Sequence, residues 1–280
     1  MSKIFIAGGS GYIGSELINF FLKKKFIKIY TSYYKNKIRK KSKYLYICKI
    51  DLTKKKKKII KKLRKINPDL IINLAAFTNP QKNELDSRKS FKENFIINKY
   101  LTDYCKKNEK TIIFTSTDKV YSGQTSKPSE NEDVKPNSVY GINKLRSERY
   151  IKKNMKKYLI LRYASVYSKK KINTINFINK SINDIKNKKK IFVATNIYRS
   201  FLSIEYLLKT LEKLINNKIY GTYNIGHAEK SYYDLIRSLC VEKKIKFKKY
   251  LFKTEVKTNP QYLSLNTNKI NLVLKSFNRF

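Results

Sequence analysis

Four of the chain's eight glycines, Gly8, Gly9, Gly11 and Gly14, fall within one seven-residue stretch, GGSGYIG, out of 280 residues. A largely apolar segment from Lys3 to Ala7 runs into this stretch, and Ile13, Leu17, Ile18 and Phe21 follow it at helical spacing. A buried strand, a glycine turn and a helix are therefore expected in that order. Glycine serves where the backbone takes positive φ or must approach a ligand closely, and a helix N-terminus presents unpaired N–H groups and partial positive charge. Together they make a cradle for a pyrophosphate. The spacing is GxxGxxG, distinct from the GxGxxG of many dehydrogenases.

Apolar runs and helical patterns alternate beyond the turn. Strands are expected over 3–7, 26–32, 44–50, 69–75, 111–116 and 158–163, with helices over 12–24, 54–66, 90–107 and 138–153. This alternation reads as an α/β, doubly wound parallel sheet of the Rossmann type. The run DLIINLAA (69–76) is continuous rather than alternating, as a central strand covered on both faces requires. Past residue 165 the pattern loosens, with helices expected over 174–186, 204–216 and 232–241 and strands over 190–194 and 222–225. The expected division is a dinucleotide-binding domain over 1–165 and a smaller substrate-binding region over 166–280, some of whose segments return to the main sheet.

A net charge of +44 raises nucleic acid or an anionic membrane as a partner. Lysine supplies nearly all of it, however, alongside abundant isoleucine, asparagine, tyrosine and phenylalanine, no tryptophan and little glycine, proline or arginine. That joint skew is what AT-rich coding produces. A surface built to read nucleic acid would enrich arginine for bidentate contacts, so no specific nucleic-acid binding is expected. The lysine runs at 54–58 and 188–190 are assigned to solvated helix starts and loops.

Cys48, Cys105 and Cys240 are far apart and form no CxxC pair, so neither a disulfide framework nor a zinc site is expected. The single histidine, His227, cannot build a metal centre and reads as a structural or surface residue rather than a catalyst. The first residues already form the first strand, leaving no room for a signal peptide, and no uncharged apolar run approaches membrane-spanning length. The expectation is a soluble cytoplasmic protein with no membrane partner; the oligomeric state stays open, with a homodimer admissible.

The second informative feature is the stretch Tyr140-Gly141-Ile142-Asn143-Lys144. Positions four apart share a helix face, where a cation beside a phenol favours phenolate and suits it to general acid–base work. Tyr33/Lys37 and Tyr167/Lys171 have the same spacing, but one lies in a basic loop and the other precedes a lysine run. Only Tyr140/Lys144 opens a convincing helix, behind Pro136 and the candidate cap Ser138. Upstream, Ser116-Thr117-Asp118 ends the strand over 111–116, at the edge where open α/β sheets bind ligands. Thr117 is expected to place its hydroxyl beside the tyrosine; its alternative is a turn-capping threonine.

With these residues the chain resembles the extended short-chain dehydrogenase/reductases, and within them the dTDP-4-dehydrorhamnose reductase-like sugar-nucleotide reductases. The resemblance runs from the glycine turn to the Arg162-to-Tyr167 segment and more loosely to the end. It implies a pyrophosphate site at Gly8, Gly11, Tyr12, Ile13 and Gly14, an adenine-contacting pair at Asp51-Leu52, and a strand end beside the nicotinamide at Ala75, Ala76 and Phe77. The segments FTSTDKVY (114–121) and PNSVYGINK (136–144) resemble the family's STDxVF and PxSxYGxxK. They imply catalytic roles for Thr117, Tyr140 and Lys144, the last two also touching cofactor. Thr117, Asp118, Ser165 and Arg199 are the implied substrate contacts; Arg199 has an ion pair with Glu205 as its alternative. Ser165 stands where the family often has an aromatic, and Asn259-Pro260 precedes Leu263-Ser264-Leu265 where the family tends to have Arg-Pro.

No acidic residue follows the second strand to hold a ribose 2′-OH, whereas Thr31 to Lys37 offers hydroxyls and cations suited to a 2′-phosphate. NADPH is therefore the expected cofactor, with NADH tolerated. The expected activity is reduction of a nucleotide-linked 4-keto deoxysugar for surface-polysaccharide biosynthesis. The alternatives are an NAD-dependent sugar-nucleotide epimerase or dehydratase and a non-catalytic NADP-binding regulatory subunit.

Overall fold

The computed structural model describes residues 2–24, 27–54, 56–170, 176–257 and 262–277. Phe26, Lys55, Lys171, the expected helix start at Thr174 and Asn259-Pro260 lie outside these residues. The chain divides into two units: residues 1–120, 136–161 and 218–222 form the first, and 121–135, 162–217 and 223–280 the second.

Strands β1 (Ser2–Ala7), β2 (Ile27–Tyr33), β3 (Leu45–Lys49), β4 (Leu70–Asn73), β5 (Thr111–Thr115) and β6 (Tyr158–Arg162) pair in parallel in the order β6-β5-β4-β1-β2-β3. The second unit carries β7 (Val166–Tyr167), β8 (Ile191–Ala194), β9 (Tyr198–Arg199) and β10 (Leu202–Ser203). Next, β11 (Gly221–Asn224) joins the main sheet beyond β6, followed by β12 (Lys230–Ser231), β13 (Leu251–Thr254) and β14 (Tyr262–Leu263). The sheet reverses direction of growth after β3, since β4 returns to the other side of β1. That switch is the topological hallmark of the doubly wound fold.

Helices α1 (Tyr12–Leu22), α2 (Lys56–Ile66), α3 (Pro80–Leu85), α4 (Ser87–Phe91), α5 (Ile97–Lys107) and α6 (Val139–Asn154) belong to the first unit. Alternate strand residues Phe5, Ala7, Ile71, Ile112, Phe114 and Ile160 share one core with Leu63 and Ile66 of α2, Leu101 and Tyr104 of α5, and Ile151 of α6. The lysines of α2 are exposed while Ile59, Leu63 and Ile66 are buried, so the basic run costs the core nothing. In the second unit, α7 (Phe177–Lys186), α8 (Ile204–Asn216), α9 (Tyr232–Glu242) and α10 (Asn268–Ser276) complete the chain. Ile178 and Ile182 of α7 meet Leu235, Ile236 and Leu239 of α9 against Val193 and Leu251 in a separate core.

Two of the expected elements are altered through asparagine side chains. The strand expected to run to Ala75 stops at Asn73, because Asn73 Oδ1 accepts the Ala75 N–H at 3.2 Å and turns the chain out of the sheet. The helix expected over 90–107 is broken by a π-turn at Lys92–Ile96. There Asn94 takes the Phe77 N–H (2.9 Å) and gives its own amide to Phe77 O (3.1 Å) and Asn83 Oδ1 (3.0 Å). A buried amide with several partners outside its own helix stabilises the irregular turn, and such π-turns cluster at functional sites.

His227 is structural. Its Nε2 meets the N–H (3.2 Å) and hydroxyl (3.0 Å) of Ser203, whose side chain also caps α8. Burial, then Lys169 and Lys230, push the imidazole below its ordinary range.

Candidate active site

The glycine turn connects β1 to α1. Gly8 takes φ +82°, and a Cβ there would stand 2.8–2.9 Å from the backbone of Leu74 and Ala75. Only glycine meets both demands, so the first glycine of the motif lets β1 and the chain leaving β4 approach each other. Gly11 is the N-cap of α1 and no side chain caps that terminus, whereas Ser138, Ser203 and Ser231 cap α6, α8 and α9. An uncapped first turn behind a glycine loop suits an anion.

Beside the turn lies a cavity of about 500 Å³. Gly8, Ser10 and Gly11 line it, with Ser32 to Asn36 after β2, Ile50 to Thr53 after β3, and Leu74 to Ala76 after β4. Asp51 takes the N–H (2.9 Å) and hydroxyl (2.6 Å) of Thr53, which fixes its carboxylate at the rim, while Leu52 is buried. Tyr12 and Ile13 open α1 half-buried, outside the lining, and Phe77 is held by Asn94. Glycine backbone, a carboxylate–leucine pair and the cation Lys35 after β2 offer groups suited to the parts of a dinucleotide.

Lys89 and Glu93 also line the cavity and were not singled out from the sequence. Burial raises the Glu93 carboxyl; Lys89 and Lys35 oppose this, and Asp51 and Asp86 add to it. No motif marks either residue.

The catalytic candidates gather where β5 ends. Ser138 caps α6 by accepting the Gly141 N–H at 3.2 Å, which starts the helix one residue before Tyr140. Tyr140 is half-buried and Lys144 is 2% exposed. The Lys144 ammonium stands 6.0 Å from the Tyr140 ring centroid and 4.1 Å from that of Phe114 on β5. The two residues share the expected face, but the buried cation seeks the aromatic face beneath it as well as the phenol. Burial pushes the ammonium down to about 7, and the charge of Glu148 opposes that fall.

Thr117 and Asp118 are both buried, and the Thr117 hydroxyl donates to Asp118 Oδ1 at 3.0 Å while accepting the Lys119 N–H at 3.2 Å. The threonine hydroxyl is thus held by its neighbour. Asn143 Nδ2 donates to Ser90 Oγ (2.9 Å), and Ser90 also receives Asn94 Nδ2 (3.3 Å). This buried chain of amides connects α6, beside Lys144, to the Ala75–Phe77 segment.

The structure therefore brings Gly8, Gly11, Asp51, Leu52, Ala75 and Ala76 around one cavity. It sets Lys144 over Phe114 of β5 and Gly141 against Lys119 O, so the helix bearing Tyr140 and Lys144 packs beside the segment bearing Thr117 and Asp118, all in the first unit. Ser165 and Arg199 belong to the second unit. Ser165 Oγ lies 3.4 Å from the Tyr232 hydroxyl, and Arg199 sits on β9 between β12 and β14. Glu205, the alternative partner considered for Arg199, accepts the Ser168 hydroxyl (3.1 Å) and the Lys170 N–H (3.3 Å). Among the described residues no cluster of three or more histidine, cysteine, aspartate or glutamate side chains could hold a metal ion, and no helix is long and apolar enough to cross a membrane.

The chain is similar to known proteins in sequence and in fold. The chain is 25% identical over 268 residues to a dTDP-D-glucose 4,6-dehydratase of Dictyostelium discoideum, covering 81% of this chain and 58% of that protein. It is 26% identical over 163 residues to a dTDP-4-dehydrorhamnose reductase of Aggregatibacter actinomycetemcomitans, covering 58% of this chain and 51% of that protein. The chain spans 24% to 58% of the length of the curated relatives it matches. Its fold is similar to the crystal structure of a dTDP-4-dehydrorhamnose reductase from Bacillus anthracis in complex with NADP, with a TM-score of 0.83 and 21% identity, covering 98% of this chain and 93% of that one. The RmlD substrate binding domain family matches residues 2–265. Spanning nearly the whole fold, from the first strand to the segment before α10, that match places the chain in the RmlD substrate binding domain family.

Proposed function

We propose that this chain reduces the 4-keto group of a nucleotide-linked deoxysugar with NADPH, tolerating NADH, as a cytoplasmic step in making surface-polysaccharide sugars. The observation that carries the reading is the burial of Lys144 on the face of α6 that also bears Tyr140, at the C-terminal end of β5. Relatives named as dTDP-4-dehydrorhamnose reductases support the choice of substrate, and the NADP bound in the Bacillus anthracis structure supports the cofactor.

NADPH, when bound, supplies the hydride. Tyr140 hands its phenolic proton to the ketone oxygen as that oxygen gains negative charge. Lys144 in its ammonium form puts positive charge beside the phenol and is the candidate to hold the nicotinamide ribose. The Thr117 hydroxyl exchanges its Asp118 acceptor for the ketone oxygen, orienting it and stabilising its developing charge. Gly8 and Gly11 with the first turn of α1 take the pyrophosphate. Asp51 and Leu52 take the adenine, and Lys35 the 2′-phosphate. Substrate binding is assigned to the second unit, with Arg199 as the candidate contact for the nucleotide diphosphate and Ser165 for the sugar.

The test is incubation with NADPH and a 4-keto-6-deoxy sugar nucleotide while NADPH absorbance is followed. Stoichiometric oxidation of NADPH with formation of the 4-hydroxy sugar nucleotide is expected. Turnover of a sugar nucleotide without net consumption of cofactor would instead establish the epimerase or dehydratase reading, which the 4,6-dehydratase relative favours.

A further inference from the structure

Ser116 and Glu148 are 3% and 0% exposed, and beyond the charge of Glu148 felt by Lys144 neither has a part in the chemistry described above. Ser116 Oγ donates to Glu148 Oε1 across 2.5 Å, a bond between residues 32 positions apart. Ser116 directly precedes Thr117, and its own N–H donates to Leu161 O at 2.7 Å, so β6 holds its backbone while α6 holds its side chain. Glu148 lies one helical turn beyond Lys144 and two beyond Tyr140.

The same helix touches the segment after Thr117 a second time. A Cβ on Gly141 would stand 2.3 Å from Lys119 O, so the start of α6 packs directly against that turn. The segment from Ser116 to Val120 is thus gripped by α6 at Gly141 and at Glu148, about 10 Å apart along the helix axis, with Lys144 between the two points. The Gly141 contact is shape alone. The Glu148 contact is a charge-assisted hydrogen bond, shorter and roughly twice as strong as a neutral one.

We propose that Glu148 is a positioning residue: by gripping the Ser116 hydroxyl it sets where Thr117 stands relative to Tyr140 and Lys144. The inference rests on the reductase reading, in which these three side chains converge on one ketone oxygen. Misplacing such a group by an ångström costs on the order of a hundredfold in rate.

The experiment compares wild type with Ser116→Ala, Glu148→Met and the double variant, using NADPH and the 4-keto sugar nucleotide. Amide hydrogen exchange of the intact proteins is read in parallel. Ser116→Ala is expected to lower kcat about ten- to a hundredfold while both KM values stay within about twofold. Adding it to Glu148→Met is expected to cost nothing further, as one shared bond requires. Amides from Thr117 to Val120 are expected to exchange faster in each variant. An unchanged kcat in Ser116→Ala, a loss confined to KM, or additive losses in the double variant would overturn the proposal. If Glu148→Met does not fold, Ser116→Ala alone decides. If the wild type reduces no ketosugar, the reductase reading falls separately, and unchanged exchange at Thr117 to Val120 would still remove the brace.

Discussion

The glycine turn is built by leaving side chains out, and α6 by burying polar ones. Gly8 runs at φ +82° against the backbone of Leu74 and Ala75, and α1 begins without a side-chain cap. On α6, Lys144 and Glu148 are both enclosed, in contact with Phe114 and Ser116. The first arrangement is backbone geometry and carries no titratable group. The second places the Lys144 ammonium where water cannot solvate it, so its protonation state has an energetic consequence. Damage to the turn should therefore act on folding and cofactor affinity without a pH signature, and damage to α6 on rate and on pH dependence.

The largest effect expected is at Tyr140. Tyr140→Phe removes the proton donor while keeping the ring, and should lower kcat about 10²- to 10⁴-fold. Cofactor affinity, measured by titration of NADPH fluorescence, should stay within a few-fold. A comparable loss in both quantities would erase the distinction between the two regions.

Gly8→Ala is the counterpart at the turn. The new methyl meets backbone on the β4 side and the residue is forced into positive φ, so stability should fall by about 2–4 kcal/mol. Urea unfolding reads this directly. The loss should be the same at pH 6 and pH 9, since no ionisable group is touched; a pH-dependent loss would mean that the turn and α6 are coupled.

Lys144 gives the opposite signature. Its ammonium is held near 7 in the fold against 10.5 in the unfolded chain, so between those values the unfolded state binds more protons. The cost of burying the charge is fully present below about pH 7, and stability recovers as pH rises toward 10.5. Lys144→Met should flatten that rise, raise stability at neutral pH and abolish turnover. Urea midpoints of variant and wild type across pH 6 to 10 isolate the contribution, and parallel curves would show that Lys144 is solvated.

These contrasts also explain what could be read in advance. GGSGYIG and Tyr140/Lys144 were legible because each combines local backbone chemistry with one helix start: Gly11 before α1 and Ser138 before α6. The parallel sheet was legible from continuous apolar runs such as that ending at Asn73. What escaped depended on side chains meeting across the chain. Asn73 and Asn94 look like ordinary polar residues, yet one ends β4 early and the other breaks a helix. The Ser116–Glu148 bond leaves no periodic trace. In the second unit β7, β9, β10, β12 and β14 are two residues each, too short for any alternation to register.

The smallest effect expected tests the β2 end of the cavity, where the two modes of construction meet. Ser32 to Asn36 border the space the ribose is expected to fill, and Lys35 is exposed there. A single flexible cation facing a phosphate through solvent contributes little, so Lys35→Ala should weaken NADPH about three- to tenfold and leave NADH unchanged. Glu93 is the control. Its carboxyl is raised by burial and opposed by Lys89 and Lys35. If Glu93 instead receives the ribose hydroxyls, Lys35→Ala will weaken both cofactors equally, and Glu93→Gln will shift preference toward NADPH. The ratio of the two affinities, taken at two salt concentrations, separates these outcomes: a phosphate–lysine contribution shrinks with added salt, whereas a carboxylate hydrogen-bonded to hydroxyls does not.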